Sequence, residues 1–226
     1  NLNASNLYKG GVRNYHTCMG REIDQHWLDA LRVNRAFKEA RVAIAGYHAH
    51  GFFNLNVDEL NTWRELGVLV DHYELADIFN QSAESEAICR RKQQLQELFD
   101  TQGITEFQLD KVAELSARLT AFMDSNGITA LALRCWPEFA RDFGISPCAA
   151  MSLLQSEDRI IACEGDLEGA LSMLAQRALG ASTPFLADLS QVDLEQDFAL
   201  LWHCGVAPCN LWDGQCQRSL DSYFAG

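Results

Sequence analysis

Three short runs limit what this chain can fold into: Arg41-Val-Ala-Ile-Ala-Gly46, Ile128-Thr-Ala-Leu-Ala-Leu133 and Ile160-Ile-Ala-Cys163. Each is too short for a helix and too uniformly apolar for a strand with one wet face. Runs of this kind belong to the interior of a parallel sheet covered by helices on both faces. The segments between them read as helices. Asp58 is placed to cap a helix that runs to Leu66, and Gly67 ends it before Val68-Leu-Val70, the next strand. Strand, helix and strand with short links form the βαβ unit of a parallel sheet.

The rest of the chain fits the same plan. Residues 1–20 read as an irregular leader, followed by a helix carrying Ile23, Trp27, Leu31 and Phe37 near one face. Residues 83–100 read as a helix. A second spans about 106–125, with Val112, Leu115, Leu119, Phe122 and Met123 as an apolar stripe. Asn126-Gly127 stops it by left-handed capping. Pro137 suits the first turn of a helix over 137–143, and Pro147 opens another over 147–155. A helix over 166–179 and strands at 185–188 and 198–203 follow. The expected fold class is α/β: a parallel-sheet, Rossmann-like domain with flanking helices, then part of a second α/β region. The expected division is a leader and first helix at 1–39, the Rossmann-like domain at 40–160, and a substrate- or metal-binding region starting in 161–226.

Charge excludes some partners. Eighteen basic against 31 acidic residues leave a net charge of −13. Such a surface repels phosphate backbones and anionic lipid, so neither nucleic acid nor a membrane is expected as a partner. No apolar run reaches the roughly 18–20 residues of a membrane span. The eight cysteines, with no basic and apolar export signal at the start, point to reduced thiols and a cytoplasmic setting.

Acidic residues follow two of the strands. In parallel α/β sheets ligands bind beyond the carboxyl ends of the strands. Glu138 lies there after the 128–133 strand, within Trp136-Pro-Glu138. It could bind a cation or move a proton, or it could simply favour the start of a helix. Glu164 and Asp166 lie there after the 160–163 strand, with Gly165 between them allowing a sharp turn. Asp166 could equally be a helix cap. Together these oxygens suit a hard divalent ion such as Mn²⁺ or Mg²⁺. His203 ends the last strong strand and could be a metal ligand, a sugar hydroxyl partner or a histidine satisfied by backbone. His203, Cys204, Cys209 and Cys216 lack the spacing of structural zinc sites. His48 and His50 follow the first strand and could face the ligand crevice. Neither a dinucleotide-binding glycine motif, a P-loop nor a nucleophile elbow is present.

The runs Ala-Leu-Arg-Cys-Trp-Pro-Glu-Phe (132–139), Gly-Ile-Ser-Pro-Cys (144–148), Ala-Cys-Glu-Gly-Asp-Leu-Glu-Gly-Ala-Leu-Ser-Met (162–173) and His-Cys-Gly (203–205) resemble the L-fucose/L-arabinose (D-arabinose) isomerase family. The resemblance covers about residues 40–205 and is most specific over 132–173. It implies the central-domain portion of a longer protein: a metal-dependent aldose–ketose isomerase acting through an ene-diol, or a fragment of one. It implies Mn²⁺, or Mg²⁺, held by Glu138 and Asp166, the same two carboxylates serving in proton transfer. The family's metal histidine lies in a later domain, so metal binding by this chain alone is expected to be weak or absent. Trp136 and His203 are the candidate substrate contacts. The expected partner is a monosaccharide, and the expected assembly a homo-oligomer. The alternative is a catalytically silent sugar-binding or assembly module of the same fold.

Overall fold

The computed structural model describes residues 2–222. Helices α1 (Leu2–Lys9) and α2 (Gln25–Glu39) precede strand β1 (Val42–Ala45). Then come α3 (Glu59–Leu66), β2 (Val70–Tyr73), α4 (Leu75–Phe79), α5 (Ser85–Leu98), β3 (Asp100–Gly103), α6 (Glu106–Asn126) and β4 (Ala130–Leu133). The chain continues through α7 (Cys148–Gln155), β5 (Ile160–Ala162), α8 (Leu167–Ala178), β6 (Asp188–Asp193), β7 (Phe198–Trp202) and β8 (Ser219–Asp221).

The main sheet has the order β2-β1-β4-β5, and every pair in it is parallel. This is the expected α/β class, with helices on both faces. The apolar strands supply both faces by their period of two. Ala43, Ala45, Leu131, Leu133, Ile161 and Cys163 point into a core shared with α4, α5, α6 and α7. Val42, Ile44, Ala130, Ala132, Ile160 and Ala162 point into the other, shared with α2 and α8. All residues of β1, β4 and β5 are buried, which accounts for their unbroken apolar character.

Capping sets several boundaries. Asp58 accepts from the Asn61 amide and Gly67, at φ 73°, closes α3, both as expected. Thr105 and Gln108 form a reciprocal capping box on α6, and Gly127, at φ 63°, closes it.

Several expectations need correction. Residues 2–9 are helical rather than irregular, yet α1 buries nothing, so it has no apolar stripe that a sequence reading could detect. Ile23 lies before α2 and is exposed, because Asp24 caps the helix at the Trp27 amide. The second strand lies at 70–73 rather than 68–70; it is an edge strand, only partly buried, and tolerates Asp71 and His72. The expected helix at 137–143 is a π-helical turn over Phe139–Phe143, after a cis Trp136–Pro137 peptide. The strand expected at 185–188 is β6, at 188–193.

A division at residue 160 falls inside the main sheet, since β5 is its fourth strand and α8 packs on β4 and β5. Beyond α8 the chain forms an antiparallel ribbon, β6–β7, whose residues are almost all exposed, Leu189, Leu201 and Trp202 among them. It then returns, so that β8 pairs in parallel with β3 and Leu220 enters the first core. Among the described residues no helix is long and apolar enough to cross a membrane.

Candidate active site

The order β2-β1-β4-β5 contains a topological switch point. From β1 the chain moves outward to β2, while β4 and β5 build on the opposite side. In open parallel sheets the crevice for ligands opens at the carboxyl ends of the strands that flank such a point. Here those ends are tied together. Arg134, just past β4, donates from its guanidinium to the carbonyl of Gly46, just past β1, at 3.3 Å. It also donates to the Trp136 carbonyl at 3.2 Å. The Ala49 amide donates to the Glu164 carbonyl, past β5, at 2.7 Å. Gly165 packs so closely there that a Cβ would stand 2.0 Å from the Tyr47 carbonyl oxygen.

Glu138 belongs to this edge. Its Oε1 accepts from Arg134 Nη2 at 2.6 Å in a largely buried ion pair. Its Oε2 is buried and has no hydrogen-bond partner. A carboxylate oxygen in that condition has lost water and gained nothing in return, a state that carries a cost unless a proton, a cation or a ligand fills it. Asp166 stands at the end of the neighbouring strand and caps α8, its Oδ1 accepting from the Gly169 amide at 2.7 Å. The cap fixes the carboxylate in place but engages only one of its oxygens in that bond. Asp166→Ala should lower stability by about 1 kcal/mol through loss of the cap, while Asp166→Asn should be nearly neutral, because Asn caps as well as Asp. Thermal unfolding of the two variants checks this.

Glu164 shares the edge, in the left-handed region at φ 63°. Burial, with added repulsion from Asp188, Cys204 and Asp166, pushes its carboxyl up to about 7. This residue was legible as a strand-end acid. Its conformation goes with the tight turn against Tyr47, and its shifted acidity comes from burial and then from Asp188, which lies in β6.

A cavity of about 580 Å³ opens beside this edge, within the roughly 300–1,000 Å³ of small-molecule sites. Its wall includes Cys135, Trp136, Cys148, Glu164, Trp202 and Cys204. Trp136, an expected substrate contact, lines the cavity and is half exposed. His203 is not among the lining residues, although both its chain neighbours, Trp202 and Cys204, are. It is buried with neither ring nitrogen partnered, and burial lowers its pKa against the opposing pull of Asp188. His48 contacts the Ala49 carbonyl through Nδ1 at 3.1 Å, and His50 is exposed.

The eight cysteines, expected as reduced thiols, include four that gather near the cavity. All eight are free thiols. Cys163 donates to Cys135, lowering the Cys135 pKa and raising its own. Cys148 donates to Cys204; this pushes Cys204 down to about 6 and Cys148 up. The two pairs neighbour each other: Cys135, Cys148 and Cys204 line the cavity, and Cys163 is buried. Spacings of 13 to 41 residues between successive members gave no local signal for this gathering. Among the described residues no group of three or more His, Cys, Asp or Glu side chains is arranged to hold a metal ion.

The fold is a parallel α/β domain with a cavity at the carboxyl edge of the sheet, lined by Glu164 but by neither Glu138 nor Asp166. No family model matches the chain. The chain is similar to curated proteins that are sugar isomerases by name. It is 29% identical over 188 residues to the sulfoquinovose isomerase of Priestia megaterium, covering 81% of this chain and 42% of that one. It is 28% identical over 182 residues to the sulfoquinovose isomerase of Alkalicoccus urumqiensis, covering 77% and 40%. With the sulfoquinovose isomerase of a Clostridium species (strain MSTE9) the identity is 27% over 188 residues, covering 82% and 42%. The chain thus spans about two fifths of the length of these relatives.

Proposed function

We propose that this chain carries the carboxylate half of an aldose–ketose isomerase site for a monosaccharide. The observation that carries the reading is Glu138, held by Arg134 through one oxygen and left with the other buried and unpartnered at the carboxyl edge of the sheet. The similarity to three sulfoquinovose isomerases supports the reaction class.

A hard divalent ion such as Mn²⁺ fits this donor set in kind, since Glu138 offers an unused anionic oxygen and Asp166, past the end of the adjacent strand, a second carboxylate. These two residues would hold it, and when bound it supplies polarisation of the sugar's oxygens. The remaining donors must come from outside the described cluster or from the sugar itself.

The chain's own residues then have separable tasks. Arg134 fixes the Glu138 carboxylate against the Gly46 carbonyl, so the acid does not swing away from the edge. One of Glu138 and Asp166 removes the proton from the carbon next to the carbonyl of the open-chain sugar. As the hydroxyl proton passes to the former carbonyl oxygen, the resulting ene-diol intermediate takes a proton at the former carbonyl carbon from the other residue, which enters the step as the carboxylic acid. Trp136 offers an apolar face at the cavity mouth, a common partner for the C–H face of a sugar ring.

The test is interconversion of sulfoquinovose, followed by NMR, with Mn²⁺ and then with a chelator. An uncharged pentose run alongside reports the sugar class. Metal-dependent appearance of the ketose is the expected result. A catalytically silent sugar-binding module remains the second reading, favoured by the lack of a third clustered donor among the described residues. Calorimetry separates the two: sugar binding without turnover and indifferent to Mn²⁺ selects the module.

A further inference from the structure

One helix face is stitched to the segment after β7. Cys148, Ser152 and Gln155 lie on the same side of α7, at i, i+4 and i+7. Ser152 Oγ donates to the Ala207 carbonyl at 2.5 Å, and Gln155 Nε2 donates to the Val206 carbonyl at 3.1 Å. The chain just before this segment passes Cys148 itself, at the start of the helix. The approach is close: a Cβ on Gly205 would stand 3.1 Å from the Cys148 Cβ and 3.7 Å from its Sγ. The Cys148 and Cys204 thiols are hydrogen-bonded, and both line the cavity.

We propose that Cys148 and Cys204 are a reversible dithiol–disulfide pair in the cavity wall, closed by peroxide. The hydrogen bond from Cys148 favours the thiolate of Cys204, the form that acts as nucleophile. Cys204 is exposed and Cys148 only partly so, which makes Cys204 the attacking sulfur. Its thiolate attacks one peroxide oxygen: an S–O bond forms, the O–O bond breaks, and hydroxide leaves. Cys204 is then a sulfenic acid and the peroxide has been reduced. The Cys148 sulfur attacks that sulfur. An S–S bond forms, the S–O bond breaks, and the leaving hydroxide departs as water with the Cys148 proton. Overall, two thiols and one peroxide give one disulfide and two waters. A small dithiol reverses the closure.

The second thiol pair differs in access. Cys163 is buried and Cys135 is only partly exposed, so that pair lacks the exposed sulfur that Cys204 offers. Closure would join the start of α7 covalently to the chain beyond β7 and would replace a thiolate in the cavity wall by a neutral disulfide. The inference does not depend on the isomerase reading.

The experiment treats the full chain with equimolar hydrogen peroxide, blocks residual thiols with N-ethylmaleimide and maps non-reduced peptides by mass spectrometry. The expected product joins the Cys148 peptide to the Cys204 peptide and disappears on reduction with dithiothreitol. In Cys148→Ser the reaction should stop at a dimedone-reactive sulfenic acid on Cys204. Cross-links confined to other cysteines, or oxidation of Cys204 with no partner in the unsubstituted chain, would overturn the assignment. Because the decisive map is made on the unsubstituted chain, a folding defect in the variant cannot decide the outcome.

Discussion

Glu138→Gln is expected to lower sugar turnover by about 10²- to 10⁴-fold, the usual contribution of a positioned acid or base. The substitution keeps the size of the side chain and an oxygen that can accept from Arg134. It removes the charge from the one buried carboxylate oxygen that, among the described residues, has no hydrogen-bond partner. Weaker Mn²⁺ binding by calorimetry should accompany the loss of turnover, because the glutamine leaves a neutral donor where a cation needs an anion. A thermal melt serves as the control for folding. Unchanged turnover in this variant, measured alongside an active unsubstituted protein, would remove Glu138 from the mechanism.

Gly165→Ala is expected to cost about 3 kcal/mol, from overpacking and from an unfavourable φ combined. For a chain of this size that corresponds to a midpoint lower by roughly 6–12 °C. The added methyl would stand 2.0 Å from the Tyr47 carbonyl oxygen and 2.7 Å from the His48 Cα. Both obstacles are backbone, so no side chain can swing aside. Gly127→Ala is the natural comparison: it also has positive φ, at 63°, but nothing lies within 4 Å of the added methyl. It should show only the conformational part, about 1 kcal/mol. Equal losses at the two positions, in chemical denaturation, would show that the close approach at Gly165 is of no consequence.

The buried strands were readable because β1, β4 and β5 are covered on both faces and cannot carry polar residues. The second strand was misplaced for the converse reason. As an edge strand it holds Asp71 and His72 at positions that neither core requires to be apolar. Helix α4 went undetected because its five residues are too few for a period to show. It is fixed instead by Glu74 and Asp77 capping each other's backbone.

At the site, the strand-end positions of Glu138 and Asp166 were legible, since they follow from where apolar runs stop. What each carboxylate does there was not. The Arg134 clamp joins residues four apart, but its second contact, with Gly46, spans 88 positions. The acidity of Glu164 depends on its burial and then on Asp188, and that of Cys204 on Cys148, none of which is set by sequence neighbours.

The strand order has a further consequence, for the time at which the molecule can take shape. β1 lies at the middle of the sheet but near the start of the chain, and its neighbour β4 is supplied 88 residues later, where the Arg41 amide donates to Thr129 Oγ1. During synthesis β1 and β2 can pair early, yet the inner edge of β1 stays open until β4 has emerged, and β4 in turn waits for β5. Closing such distant pairs costs loop entropy before the contacts can compensate, and folding slows as partners lie further apart in sequence. The carboxyl edge that carries Glu138 and Asp166 therefore takes shape only once both β4 and β5 have joined β1.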